Sequence, residues 1–170
     1  MFRKPAIVTI LFMAIISLLA LTACSQVSAR GGSNNSGAVI KQTRISAQLT
    51  GDTVTIPVSD LDKYGNVNFA VNTATDIYAF MSYKLGDKTY VRADVCVPCG
   101  SESFTLNKDN LVCDSCGTVF DAQTGKGVRG VTACQAYTKL PVAFQISEGN
   151  IVMKGTDLVT AFRNTVNRKS

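Results

Sequence analysis

Two short cysteine pairs constrain what this chain can fold into more than any other feature. Cys96-Val97-Pro98-Cys99-Gly100 and Cys113-Asp114-Ser115-Cys116-Gly117 are separated by 13 residues, in a 170-residue chain with six cysteines and no histidine. Cys-x-x-Cys spacing lets the backbone curl until both sulfurs face one point. A glycine after the second cysteine supplies the positive φ of such a knuckle and leaves amides free to point at thiolate sulfur. Two facing knuckles form a tetrahedral all-sulfur cage, which suits zinc, iron or an iron–sulfur cluster. Cys96, Cys99, Cys113 and Cys116 are therefore the candidate metal ligands. From the residues alone three states stay open: a structural zinc or other mononuclear metal as in a zinc ribbon, a redox iron centre, or disulfides.

The N-terminus states where such a site would work. Met1-Phe2-Arg3-Lys4 is a basic start, Ala6 to Leu21 is almost unbroken apolar sequence, and Leu21-Thr22-Ala23-Cys24 places small residues before a cysteine. This pattern predicts a lipoprotein signal peptide over 1–23, with Cys24 as the lipidated residue and acyl chains as the membrane attachment. Residues 24–44, including Gly31-Gly32-Ser33-Asn34-Asn35-Ser36-Gly37, are expected to form a flexible tether, because they hold little apolar surface. The domain proper is expected over 45–170, on the outer face of the cell membrane.

Removal of Arg3 and Lys4 with the signal leaves 15 basic against 12 acidic side chains, a net charge of +3. Without clustered basic runs or interleaved aromatics, that excess gives no basis for nucleic-acid binding. Patterning is mainly that of strands. Val54 to Val58 is a β-branched run that Pro57 marks as an edge; Ser59 to Gly65 reads as a turn; Asn66 to Val71, Ile77 to Tyr83 and Thr89 to Ala93 follow as strands, the last two joined at Gly86-Asp87-Lys88. Short strands are expected at Ser103 to Leu106, Leu111 to Cys113, Thr118 to Asp121, Val142 to Ile146 and Asn150 to Lys154. A single helix is expected at the end, capped by Thr156 or Asp157, with Leu158, Val159, Phe162 and Val166 on one face.

Four thiolates around a divalent ion carry a net charge of −2, and around a two-iron core −2 oxidised and −3 reduced. No histidine ligand is present to titrate, so the ligands alone predict a potential nearly independent of pH. Amides of Gly100 and Gly117, with Val97, Pro98, Val119 and Phe120 as screening side chains, are the expected tuning elements. Cys134 is the odd thiol: a spare or exchange ligand, a thiol facing a partner, or a small buried hydrophobe. No residue is assigned a catalytic role. Histidine-based nucleophiles and hydrolytic metals are absent, and Asp94, Asp114 and Asp121 read as turn and surface carboxylates.

From Cys113 to Gly125, then at Gly130, Leu140-Pro141, Phe144 and Glu148 to Val152, the chain resembles the second half of a Rieske domain. Cys116 stands where that pattern has histidine, and Cys96-x-x-Cys99 replaces Cys-x-His, so the ligand set differs. Over about residues 45–155 it is more similar to the FtrD-like membrane-associated iron–sulfur family. The similarity runs through Ile56-Pro57-Val58-Ser59-Asp60-Leu61, both Cys-x-x-Cys-Gly units, and Cys134 before Leu140-Pro141. Thr132-Ala133-Cys134-Gln135-Ala136 departs from the family's Gly-Gly-Cys-Asn-Pro, and a lipid anchor stands in for a polytopic membrane segment. The resemblance implies a single mainly β, Rieske-like domain with a short C-terminal helix. It also implies a ferredoxin-like, electron-transferring role beside a membrane redox or transport protein, in some relatives alongside iron-uptake components. The competing expectation is a zinc-ribbon-like binding or scaffold lipoprotein without redox chemistry.

Overall fold

The run Ile77–Leu85 is apolar at nearly every position, so it suits a strand covered on both faces. In the computed structural model, which describes residues 38–167, it is that strand. Tyr78 and Phe80 point into one core, while Met81 and Tyr83 point into a second. Alternation with period two thus lets one strand serve as the wall between two hydrophobic clusters.

This strand, β6, lies in a central sheet of order β2 (Thr43–Arg44), β5 (Asn66–Asn72), β6, β7 (Lys88–Ala93). The β2–β5 pair is parallel and the other two pairs are antiparallel. A second sheet has the order β12 (Gln145–Ser147), β13 (Asn150–Lys154), β4 (Thr53–Pro57), β3 (Gln48–Thr50). The third holds β1 (Val39–Ile40), β8 (Phe104–Asn107), β9 (Asn110–Cys113), β10 (Val119–Asp121) and β11 (Gly127–Arg129), in that order. Helices are short: α1 (Val58–Tyr64), α2 (Thr132–Gln135) and the C-terminal α3 (Gly155–Asn167). The mainly β class with a closing helix agrees with the patterning.

The first core unites the second sheet, the central sheet and α3. Phe69 stacks on Phe80 at 5.8 Å, and Phe162 of α3 meets Tyr78 and Phe80 edge-on at 5.0 and 6.0 Å. Full burial of each such ring stabilises the fold by about 1.5–3 kcal/mol. The second core packs Met81 and Tyr83 against Phe104, Leu106, Leu111, Phe120 and the cysteines. Asn66, fully buried at the start of β5, ties central and third sheets together: its Nδ2 donates to Ile40 O at 3.1 Å and Phe104 O at 3.0 Å.

Five local expectations are corrected. The strand ending at Pro57 is interior, not an edge, because β13 and β3 flank it. Pro57 itself pairs with Asn150 beyond the reach of β3, so its missing N–H breaks no ladder. Ser59 to Gly65 is mostly helix. Asp60 favours its first turn, Leu61 is buried, and Gly65 at φ 71° closes it by donating to Leu61 O. Val142 is buried but its amide bonds singly to Val91 O, and the strand begins only at Gln145. The α3 start is capped from outside: Asp52 accepts from Thr156 N and Oγ1 at 2.9 and 3.0 Å. Finally, β1 and β2 precede residue 45, so part of the expected tether is strand; residues 1–37, with the signal segment and Cys24, lie outside the described residues.

Candidate metal centre

Each cysteine pair is held by the same local device. Gly100 N donates to Cys96 O at 2.8 Å and Gly117 N to Cys113 O at 2.9 Å, closing two turns of equal length. Both glycines have positive φ, 69° and 68°, which a side chain would strain. The loops close at their bases through Cys96 N to Ser101 O and Cys113 N to Thr118 O. The two glycine amides are therefore spent on backbone carbonyls, which corrects the expectation that they point at sulfur. Asp114, within the second loop, accepts from Ser103 Oγ and Thr105 Oγ1 and so pins that loop to β8.

The knuckles face each other. Cys96 Sγ lies 3.9 Å from Cys116 Sγ, and Cys99 Sγ lies 3.7 Å from Cys113 Sγ. A tetrahedral metal with bonds of about 2.3 Å to sulfur has edges of about 3.8 Å, so these two spacings match edges of a metal cage. Cys134, delivered by α2, stands 3.8 Å from Cys116 Sγ. The sulfurs of Cys96, Cys99, Cys116 and Cys134 all lie within 4.8 Å of one another. That mutually close set takes Cys134 in place of the expected Cys113, which lies against Cys99, and Cys134 is both buried and at ligand distance. Cys96, Cys113 and Cys134 are buried, Cys116 is half-buried and Cys99 is exposed, so the cluster of sulfurs reaches solvent at one corner.

The surroundings divide the thiols. Burial pushes Cys96 well up and Cys113 up. Burial also opposes ionisation of Cys116, yet hydrogen bonds from the side chain and backbone of Thr118, then from Cys113 and Cys99, bring it down to about 6. Thr118 Oγ1 lies 3.1 Å from Cys116 Sγ and accepts Val131 N–H at 3.2 Å. With that lone pair engaged, its hydroxyl hydrogen is free to turn to a thiolate.

Two charged side chains are buried beside the sulfurs, and neither was foreseen. Lys139, fully buried, donates from Nζ to Val95 O at 2.6 Å and sits 4.1 and 4.2 Å from the ring centres of Phe104 and Phe120. Burial brings its amine down to about 8, against the pull of Cys96, Asp94, Cys113 and Cys99. Asp94, read from sequence as a surface or turn carboxylate, is also fully buried. Burial pushes its carboxyl up to about 7, against Gln42, Lys139 and Asn68. Titratable groups therefore do adjoin the site, and pH-independence no longer follows from the ligands alone. An isolated Lys beside Leu140-Pro141-Val142 leaves no periodic mark, so no sequence signal pointed to it. Phe120 is a packing residue and a wall for Lys139, edge-on to Phe104 at 5.9 Å.

The donor set fits an iron–sulfur cluster: sulfur only, no nitrogen, convergent and mostly shielded. A family model for the membrane iron–sulfur containing protein FtrD-like matches residues 63–164. No curated protein matches the chain. Among solved structures, the chain is similar to the complex of reduced oxygenase and oxidised ferredoxin in carbazole 1,9a-dioxygenase, with 21% identity and a TM-score of 0.49 over 62% of this chain and 95% of that one. It is also similar to a ferredoxin of Sphingomonas yanoikuyae B1, at 18% identity and TM-score 0.41 over 51% and 83% of the two chains. A third similarity is to the plasma membrane Rieske protein of the cyanobacterium Synechocystis PCC 6803, at 22% identity and TM-score 0.43 over 58% and 94%. With the family match spanning both knuckles and Cys134, the chain belongs to the FtrD-like family of membrane iron–sulfur containing proteins.

Proposed function

We propose that this protein is a lipid-anchored, extracytoplasmic iron–sulfur carrier that passes single electrons to or from a membrane redox or transport protein. In this reading Cys96, Cys99, Cys113 and Cys116 are the ligands, and Cys134 is a fifth thiol that can replace one of them. The observation that carries it is the convergence of thiols at tetrahedral-edge spacing, with Cys96, Cys113 and Cys134 buried, Cys116 half-buried and Cys99 exposed. A bound cluster supplies one-electron chemistry; the chain's own part is to hold thiolates, exclude water from Cys96 and Cys113, and present one corner to a partner. Residues 6–21 and Cys24 support a lipid anchor, and among the described residues no helix is long and apolar enough to cross a membrane. A link to iron uptake rests on family resemblance alone.

The test is direct. Anaerobically purified full-length protein should contain iron and acid-labile sulfide, show visible bands that bleach with dithionite, and give a paramagnetic signal on reduction. A colourless zinc protein, or one whose knuckle sulfurs are locked in cystine, would overturn the reading. Mass spectrometry of the membrane fraction should find acyl mass on Cys24 of the wild type and none on Cys24→Ala; wild-type protein without acyl mass would remove the lipid anchor from the proposal.

A further inference from the structure

Lys139 is an odd occupant for an apolar core. Its ammonium is fully buried between Phe104 and Phe120, with one hydrogen bond, to Val95 O. Among the described residues the one ion pair joins Lys84 and Asp62; buried Asp94 acts on Lys139 from beyond ion-pair distance, so no carboxylate touches the ammonium. A carbonyl and two ring faces orient an ammonium but leave it without a contacting counter-ion, and a buried charge so placed is costly. Methionine would fill the same space without that cost.

Its three partners are all tied to the cysteine loops. Val95 precedes Cys96, Phe104 stands opposite Cys113 in the β8–β9 register, and Phe120 begins two residues after Thr118, which holds Cys116. The negative groups that act on the ammonium are Cys96, Asp94, Cys113 and Cys99, three of the four being thiols of the proposed ligand set.

We infer that Lys139 is the built-in counter-charge of the metal centre, a positioning residue that raises its reduction potential by stabilising the extra negative charge of the reduced state. The inference rests on the iron–sulfur reading above. For a two-iron core with four thiolates, one electron arriving from a one-electron donor takes the centre from −2 to −3, with no bond made and no proton moved. A fixed positive charge in a low-dielectric wall favours the −3 state over the −2 state.

Full-length wild type, Lys139→Met, Lys139→Gln and Lys139→Arg are to be compared for iron and sulfide per chain, paramagnetic signal, and potential by redox titration. The glutamine variant keeps a donor for Val95 O; the arginine variant keeps the charge. Met and Gln variants are expected to load as wild type does, but to show a reduced-to-oxidised ratio at least tenfold lower at the same ambient potential, 59 mV for one electron. The Arg variant should stay within about threefold of wild type. Normal loading of the neutral variants with a wild-type potential overturns the inference. So does failure of both neutral variants to fold even without metal, since Lys139 would then belong to the fold. If wild type holds zinc, metal analysis removes the electron-carrier reading by itself. The counter-charge then stands only if the neutral variants lose metal at a tenfold lower chelator concentration.

Discussion

Thr118 shows how one hydroxyl can serve two neighbours: it accepts Val131 N–H and lies against Cys116 Sγ. Thr118→Val keeps the shape and removes both bonds. It should lower the reduction potential by about 40 mV, equivalent to ~1 kcal/mol of lost stabilisation of the more negative state, read by redox titration of the loaded protein. Tyr83 offers a second case, in the pH dependence of folding. Its hydroxyl donates to Ala122 O at 2.6 Å and accepts from Arg92 Nε at 2.8 Å, and burial pushes it up to about 12 despite Arg92. An unfolded tyrosine titrates near ~10. The folded chain therefore keeps this proton where the unfolded chain has lost it. Stability from Tyr83 is full below about pH 10 and drains away as pH rises toward 12. Denaturant midpoints measured across that window should fall in wild type and flatten in Tyr83→Phe. The variant should also be destabilised by roughly 1.5–3 kcal/mol at neutral pH, because buried Arg92 loses an acceptor. At this scale the chain was half legible. Cysteines announce themselves by spacing, whereas Lys139, Asp94 and Thr118 owe their character to burial, which no neighbouring residue encodes.

At the scale of elements, the β10–β11 hairpin is what brings Cys134 to the other sulfurs. Gly130 has a φ of 107°, and a Cβ there would come within 2.7 Å of Thr118 Cα. The hairpin thus lies directly on the strap that holds Cys116, immediately before α2 carries Cys134 inward. Gly130→Ala should cost on the order of 1–3 kcal/mol of strain and press on Thr118, lowering the melting temperature and speeding loss of visible absorbance from the loaded protein. A melting curve matching wild type would show that the hairpin can shift without consequence. Strands β5 and β13 could be read from alternation because each buries a regular face, whereas β6 was legible as an almost unbroken apolar run. Helix α1 was missed although its signals were present: an acidic first turn, buried Leu61 and a closing glycine. Seven residues make barely two turns, shorter than the window of about 11–18 over which apolar periodicity can be recognised, so a turn reading competes. Val142 misled for the opposite reason, being a β-branched residue buried through one backbone bond beside a proline instead of through a ladder.

At the scale of the whole molecule, the described residues form two cores that differ in their share of the cysteines. One, from Val54 to Ala161, contains no cysteine; the other includes Cys96, Cys113 and Cys134 among its packing residues. Removing the metal should therefore loosen the molecule unevenly. Hydrogen exchange is expected to accelerate across residues 96–134 of the chelated protein, while amides of β4, β5 and β13 keep their protection. Uniform acceleration would mean that the metal holds both cores. Strand β6 gives this arrangement its last consequence. It is hydrogen-bonded to neighbours along both edges and covered on both faces, so it cannot yield to one side without opening the other. A scaffold that stiff relaxes little when the charge beside it alternates. In the electron-carrier reading proposed above, nuclear rearrangement accompanying each hop would stay small, and the pace of exchange would pass to the gap between the exposed Cys99 corner and a docked partner.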